Sequence, residues 1–207
     1  MNTVPLVGEP LALDLVNTWV QAPGGREFDL LETQDALRRW LVQENDRLTP
    51  RGGDVNLEAV STLRGHIARA VEHARHGTAP PASALHAVTE AQRAAPAHRE
   101  LSWDGAAVTA RPRRSGDPTR DLLAELAEAA ADLLADPSIR SIRLCEGPEC
   151  RLLFLPANPR RRWCSPALCG NRVRVARYYQ RHKNERNLWE NSERDSACEI
   201  AVCTPSL

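Results

Sequence analysis

Four cysteines arranged as two pairs have the types and spacing to bind one metal ion. Cys145 and Cys150 form the first C-x4-C pair, Cys164 and Cys169 form the second, and all four lie within 25 residues. Structural zinc sites use closed tetrahedral sets of four thiolates, in which residues two to four positions apart present two sulfurs to one ion. The spacing predicts one structural zinc ion, with two disulfides or four unrelated thiols as the alternatives. Because four thiolates fill the coordination sphere, we do not expect the metal to activate water.

Arginines cluster around and beyond the second cysteine pair, although the whole 207-residue chain has a formal net charge of zero. Residues 151–187 contain ten basic side chains and one acidic side chain, so this segment carries +9 and the remainder carries −9. A split of this kind indicates a polyanion-binding module joined to an acidic body. The side chains expected to contact nucleic acid are Arg160, Arg161, Arg162, Arg172, Arg174, Arg177 and Arg181.

The segment after the second cysteine pair has helical periodicity with one arginine face. Arg174, Arg177 and Arg181 fall within one narrow arc, and guanidinium groups bind phosphate oxygens through paired hydrogen bonds. DNA is the expected ligand, because RNA readers usually stack unpaired bases on several aromatic side chains and few lie here. The alternatives are RNA, a solvated charged helix, and an adaptor that docks on an acidic protein. The opposite face is expected to pack: Val173, Ala176 and Tyr179.

An apolar N-terminal segment contains three polar side chains that would share one helical face. Asp14 precedes Asn17 by three residues and Thr18 by four. These side chains could line a pocket for a small-molecule effector, or they could cap helices and tie a hairpin to the helical bundle. No nucleophile–base pair, glycine-rich phosphate loop or paired-carboxylate motif is recognisable in the sequence, so an enzyme is not expected.

Two stretches of the sequence resemble one known protein family. Residues 144–181 closely resemble the CGNR zinc finger, which is named after the tetrad that is Cys169-Gly170-Asn171-Arg172 here. The segment Leu11–Thr18 looks like the opening motif of the N-terminal domain that accompanies this finger. The resemblance implies a bacterial, stress-related transcriptional regulator. Pro156, where Asp is common, and Arg174, where Lys is usual, depart from the family pattern without removing a metal ligand.

Hydrophobic periodicity and turn signals predict an α-rich domain for sensing or dimerisation over residues 1–137. Helices are expected at 33–42, 57–76 and 82–94, and from residue 118 to the Asp136-Pro137 turn. Residues 11–19 are helical or extended and end before Pro23-Gly24-Gly25. Asp104-Gly105 predicts a tight β-hairpin between residues 101–103 and 106–108, and residues 111–117 are expected to be a polar connector.

Residues 138–187 are expected to form a CGNR-type finger around the four cysteines. A strand at 141–144 leads to the first cysteine, residues 151–155 return as its partner strand, and a helix begins near residue 169, in a treble-clef-like or zinc-ribbon-like arrangement. So small a module buries little apolar surface, so its folding is expected to need the metal. The fold class is therefore α+β, mainly α, and residues 188–207 are expected to be a disordered tail.

Composition indicates a cytoplasmic protein. The sequence has no run of about 18 apolar residues and no secretory signal, so neither a membrane span nor export is expected. Reduced thiols in the cytoplasm favour metal binding over disulfides. Cys198 and Cys203 repeat the C-x4-C spacing without a partner pair, so we expect them to be reduced and incidental. A homodimer is compatible with this organisation.

Overall fold

A computed structural model of the chain describes residues 8–21, 27–50, 52–148 and 150–182. The chain divides into two compact units, with the boundary between Cys164 and Ser165. The predicted tail at 188–207, with Cys198 and Cys203, lies outside the described residues. The α-helices described in the first unit are α1 (Leu11–Val16), α2 (Gln34–Gln43), α3 (Leu57–Arg75), α4 (Ala82–Ala94) and α5 (Pro118–Ala135).

The helix boundaries follow from local capping chemistry. Thr33 precedes α2 and accepts a hydrogen bond from the Ala36 N–H, as predicted. Asp117 precedes the proline that opens α5, and its side chain accepts hydrogen bonds from the N–H groups of Thr119 and Arg120. These contacts satisfy backbone donors that a helix leaves unpaired at its first turn. α3 ends before Gly77, which adopts a φ of 70°, a conformation that glycine adopts without strain. The predicted helices from 33 to 135 are therefore confirmed.

The hydrophobic core forms around the apolar stripe of α3. Val60, Leu63, Ile67 and Val71 are at most 5% exposed, as the helical periodicity predicts. α3 packs against α1, α4 and α5, and α1 also contacts α5. This packing buries the apolar residues of α1 and fixes the position of Asn17, the residue that caps the C-terminus of α1.

A short hairpin that the sequence did not predict follows α1. Strands β1 (Trp19–Gln21) and β2 (Glu27–Asp29) pair antiparallel, with Trp19 opposite Asp29. The prediction treated Pro23-Gly24-Gly25 only as the end of the preceding segment. Strands of three residues are too short to show an alternating pattern, which explains the omission.

The predicted second hairpin exists, with a longer loop and longer strands than expected. β3 (His98–Trp103) pairs with β4 (Val108–Arg113), so four residues rather than Asp104-Gly105 alone connect them. The Asp104 carboxylate accepts hydrogen bonds from the N–H groups of Ala106 and Ala107, both at 2.9 Å, which stabilises this wider turn. The prediction that residues 111–117 are a connector is wrong for 111–113, which belong to β4.

The first half of the cysteine-rich segment shares the core of the helices. A 3₁₀ turn (Pro137–Ser141) leads to β5 (Arg143–Leu144), which pairs antiparallel with β6 (Leu153–Phe154). Ile139, Ile142 and Leu153 are buried in the same cluster as the helical core residues. The observed class is α+β and mainly α, as predicted, and each sheet among the described residues has two strands. The domain boundary at residue 137 stays a prediction.

The described part of the second unit begins with a π-helical turn (Pro166–Gly170) and continues as a helix over residues 171–182, here called α6. The expected helix start near residue 169 is therefore confirmed. The expected packed face of this helix is wrong for two of its three members, because Ala176 is exposed and Tyr179 is 68% exposed. Among the described residues, no helix is long and apolar enough to cross a membrane.

Candidate metal centre and basic surface

The four paired cysteines form one cluster of sulfur atoms. The sulfurs of Cys145, Cys150, Cys164 and Cys169 all lie within 4.8 Å of one another. The Cys150 and Cys164 sulfurs are 3.8 Å apart. Two thiolates on a tetrahedral zinc ion with Zn–S bonds of about 2.3 Å are separated by about 3.8 Å, whereas a disulfide needs about 2.05 Å. The donor set therefore fits zinc, and none of the four cysteines forms a disulfide.

Backbone geometry positions the first cysteine pair. The Cys145 N–H donates to the Leu152 carbonyl at 2.9 Å, which continues the pairing of β5 with β6 beyond the strands. The Cys150 N–H donates to the Gly147 carbonyl at 3.1 Å and closes the turn between the two cysteines. The short Gly-Pro spacer therefore folds back as one tight knuckle, as its sequence predicts.

Backbone N–H groups also contact the Cys145 sulfur directly. The Gly147 N–H donates to it at 3.4 Å and the Cys164 N–H donates to it at 3.2 Å. Such contacts orient a metal ligand. The hydrogen bond from the Cys164 N–H also links the two cysteine pairs, because it joins the sulfur of a residue in the first pair to the backbone of a residue in the second.

Arg161, one of the arginines predicted to contact nucleic acid, is directed into the protein. Its Nε donates to the Trp163 carbonyl at 3.0 Å, and one terminal nitrogen donates to the Cys164 carbonyl and, at 2.6 Å, to a Glu9 oxygen. The guanidinium carbon lies 4.6 Å from the centre of the Phe154 ring. Arg161 thus links the backbone of residues 163 and 164 to Glu9 and Phe154 within the first unit.

The neighbouring arginines lie on the surface. Arg162 is half-exposed and forms an ion pair with Glu146, whose carboxylate accepts from Arg162 Nε at 2.6 Å. This hydrogen bond holds the pKa of Glu146 below its ordinary value. Arg160 is exposed, and its backbone N–H donates to the Asn158 side chain at 2.9 Å.

The arginines of α6 are all exposed. Residues 165–182 include four arginines and no acidic residue. Tyr178 is 55% exposed beside them, and its ring lies 4.1 Å from that of His182. The structure thus presents a positively charged helix with aromatic side chains. The arginines concerned are Arg172, Arg174, Arg177 and Arg181.

The N-terminal polar side chains are buried and bind separate protein partners. Asn17 Nδ2 donates to the Leu153 carbonyl at 2.9 Å, and the Leu153 N–H donates back to Asn17 Oδ1 at 2.8 Å. Thr18 donates to the Leu15 carbonyl at 2.6 Å, and Asp14 accepts from Arg47 at 2.7 Å. These contacts favour the structural alternative for the cluster over a ligand pocket.

Sequence reasoning missed two charged residues that organise the first unit. Glu9 is 5% exposed, and its second oxygen accepts from the Leu155 N–H at 2.7 Å. Arg64 is 1% exposed and donates to both oxygens of Asp29, at 2.7 and 2.6 Å. Of these two residues, only Arg64 could have been recognised from the sequence, because it is a charged residue within the apolar stripe of α3.

A pair of buried acids shares one arginine near α1 and α2. Asp14 and Glu44 are each 2% exposed, and Arg47 contacts both, at 2.7 and 3.2 Å. Burial raises the pKa of Asp14, although Arg47 opposes the shift. Burial also raises the pKa of Glu44, again against Arg47, and the charge of Asp14 adds to the rise. Glu44 Oε1 is buried without a hydrogen-bond partner among the described residues.

Comparison with known families agrees with the resemblance found in the sequence. Residues 9–137 match the model of the ABATE family, which is described as a putative stress-induced transcription regulator. Residues 141–182 match the model of the CGNR zinc finger. No curated protein matches the chain significantly. The first match alone covers more than half of the sequence.

Proposed function

The chain belongs to the ABATE family and carries a CGNR zinc finger, and we propose that it regulates transcription by binding DNA through α6. The observation that carries this proposal is the exposure of four arginines on a helix within residues 165–182, which include no acidic residue. An α-helix fits the major groove of DNA, and guanidinium groups bind both phosphates and guanine edges. We propose a non-catalytic role in the cytoplasm.

Zinc has a structural role in this proposal. Cys145, Cys150, Cys164 and Cys169 would hold it as thiolates, and the full set of four ligands leaves no position for a substrate. When bound, the ion supplies a fixed link among these four residues. The backbone N–H contacts to the Cys145 sulfur and the Arg161 contact to the Cys164 carbonyl restrain the ligand residues from outside.

The contacts of the loop arginines narrow the proposed DNA surface. The Arg161 side chain donates hydrogen bonds to acceptors inside the protein, so we assign it to positioning the second cysteine pair. Glu146 partly neutralises Arg162, so this side chain is expected to contribute less than a free guanidinium. The proposed phosphate contacts are Arg160, Arg172, Arg174, Arg177 and Arg181.

A groove in the first unit is the better candidate for sensing a small molecule than the buried polar cluster. It has a volume of about 550 Å³ and is lined by Val16, Trp19, Arg69, Leu144 and Arg151 among others. Trp19 is 48% exposed, and the Arg64 guanidinium lies 5.1 Å from its ring centre. The lining also includes Glu72, which is paired with Arg75, and the other cationic groups beside the apolar walls, Arg69 and Arg151, suit an organic anion. Quenching of Trp fluorescence on ligand titration, lost in Trp19→Leu, tests this assignment.

Selection of bound fragments from a random duplex DNA pool tests the main proposal. The zinc-loaded full chain, at a physiological salt of about 0.15 M, should enrich a duplex sequence. A matched selection with the Arg174→Ala/Arg177→Ala/Arg181→Ala variant should enrich nothing. Enrichment only from a single-stranded RNA pool favours an RNA-binding role. Failure of both pools, with capture of an acidic protein that the triple variant does not bind, favours the adaptor.

A further inference from the structure

One wall of the candidate sensing groove is made by the segment that carries the first cysteine pair. Leu144 and Leu153 pair directly across β5 and β6, and both line the groove together with Arg151. We call these three residues the cysteine wall. Leu144 immediately precedes Cys145, and Arg151 immediately follows Cys150. A molecule bound in this groove would therefore contact the chain both before and after the first cysteine pair.

The remaining lining belongs to the helical core. Ala68 and Arg69 lie on α3, and Val16 is the last residue of α1. α3 packs against α1, and the Arg64 guanidinium on α3 lies 5.1 Å from the centre of the Trp19 ring in β1. Helix packing positions this part of the groove, whereas the cysteine wall belongs to a hairpin whose strands have two residues each. A ligand that contacts both parts would hold the cysteine wall against the core.

Each part of the groove supplies one arginine without an acidic partner. Arg69 on α3 and Arg151 on the cysteine wall are exposed, and neither forms an ion pair among the described residues. Glu72, the acidic residue of the lining, is paired with Arg75 at 2.7 Å. Guanidinium groups bind carboxylates through short, charge-assisted hydrogen bonds. The charges of the groove therefore favour an anion that both free arginines can reach.

The apolar surface of the groove favours a flat ring as the body of this anion. Trp19 is 48% exposed and Leu144 is 36% exposed, so both present apolar surface to the groove. Aromatic rings stack well on a tryptophan side chain. The volume of about 550 Å³ lies within the range of about 300–1,000 Å³ that is usual for small-molecule sites. Ring and charge together indicate an aromatic carboxylate.

We propose that the groove binds an aromatic carboxylate, and that this ligand and zinc strengthen each other's binding. The ring lies against Trp19 and Leu144, and the carboxylate pairs with Arg69 and Arg151. The bound ligand then holds the cysteine wall in the conformation that presents the first cysteine pair to the metal. Two ligands that favour one conformation must each raise the affinity of the other by the same factor.

This inference rests on the proposed sensing role of the groove and adds the class of ligand and its effect on the metal centre. It is measured on the zinc-loaded chain without nucleic acid. Its failure therefore leaves the proposed DNA binding by α6 untouched, and a chain that bound no DNA would still be able to show it.

Ligand-observed NMR titration of the zinc-loaded full chain with 1-naphthoate tests binding. A ligand of about a dozen non-hydrogen atoms should bind with a dissociation constant of about 1 mM or below. Arg69→Ala and Arg151→Ala should each weaken binding by about tenfold, as loss of a hydrogen bond to a charged group does. Arg93→Ala removes an exposed arginine of α4 outside the groove and should leave binding unchanged. The neutral 1-naphthalenemethanol, which has the same ring, should bind about tenfold more weakly than 1-naphthoate.

Competition with a zinc chelator measures the coupling. Saturating 1-naphthoate should raise the zinc affinity of wild type by about fivefold or more, which is the lower end of typical coupling between two sites. Arg69→Ala should bind zinc like wild type in the absence of ligand, because Arg69 lies on α3 and not beside a cysteine. The same variant should show no gain with 1-naphthoate, and it controls for zinc bound by the free carboxylate in solution.

Three results overturn the proposal. The first is a wild type without saturable binding of 1-naphthoate, and the second is a wild type that binds it with unchanged zinc affinity. The third is equal binding by wild type, Arg69→Ala and Arg151→Ala, because the anion would then lie elsewhere. Zinc content and helix content are measured for every variant. If a variant misfolds, the comparison of 1-naphthoate with the neutral alcohol decides the charge requirement on wild type.

Discussion

Replacing Asn17 with alanine should destabilise the first unit by several kcal/mol. Asn17 pairs with both backbone groups of Leu153, at 2.9 and 2.8 Å, and the two residues are 4% and 8% exposed. Removing the amide leaves one N–H and one carbonyl buried without a partner. Each such group costs about 1–3 kcal/mol, so the loss of both partners should lower the free energy of unfolding by about 2–6 kcal/mol.

A second amide in the chain provides a matched control. Gln92 donates to the Val88 carbonyl at 3.2 Å, one turn earlier in α4. Gln92→Ala removes an amide hydrogen bond from a carbonyl that the helix itself still satisfies, so its effect should stay within about 0.5 kcal/mol. The comparison separates loss of an amide from loss of the pairing with Leu153.

Urea unfolding of the zinc-loaded chain at pH 7, followed by Trp fluorescence, measures both variants. Because Asn17 holds β6, the alanine variant should also release zinc to a chelator faster than wild type, and the control should not. An Asn17→Ala variant whose unfolding free energy lies within about 0.5 kcal/mol of wild type refutes the reasoning, because no buried backbone group would then have lost a needed partner.

Three further perturbations test the buried charges and the metal. Purified reduced protein should contain one zinc ion per chain by metal analysis, and Cys164→Ser should lose it; full occupancy in the variant contradicts the site. Glu44→Met should raise the unfolding free energy at pH 7 by about 1 kcal/mol, because it removes a buried carboxylate whose Oε1 has no hydrogen-bond partner among the described residues, while Arg47 keeps Asp14 as its acidic partner. Since burial raises the folded pKa of Glu44, wild type loses stability as pH rises from the ordinary pKa of a glutamate through the raised one, and this loss should be smaller in the variant, in which Asp14 keeps its own raised pKa. Asp29→Asn should lower the unfolding free energy at pH 7 by about 2–4 kcal/mol, because Arg64 then lies buried without a charged partner. Burial alone would raise the pKa of Asp29, but hydrogen bonds from Arg64 and a backbone N–H lower it overall, so the difference between variant and wild type should shrink as pH falls through that lowered value.

Patterns carried by neighbouring residues were read correctly from the sequence. The α3 stripe and the Thr33 cap depend on periodicity and on contacts within one turn, and the structure shows both. The C-x4-C pairs were predictable for the same reason, because the residues between the two cysteines of each pair form a local turn. The zinc site was therefore predictable from spacing, although the hydrogen bonds that orient Cys145 were not.

Contacts between distant segments were not readable in the same way. Glu9 meets Arg161 across more than 150 positions, and nothing local distinguishes either from a surface residue. For the same reason Arg161 was grouped with the exposed arginines by charge alone. Tyr179 was expected to pack because periodicity indicates which residues share a helical face, but it does not indicate whether another element covers that face.

The salt dependence of DNA affinity tests the central claim most directly. If Arg174, Arg177 and Arg181 each neutralise one phosphate, replacing all three with alanine should flatten the slope of log affinity against log salt by about 2.7, at roughly 0.9 per contact. A control variant with three exposed arginines of the first unit replaced, Arg38, Arg93 and Arg120, should keep the wild-type slope. Both variants should retain zinc and helix content. A triple α6 variant with the wild-type slope, or a wild type that binds no duplex at low salt, contradicts the account.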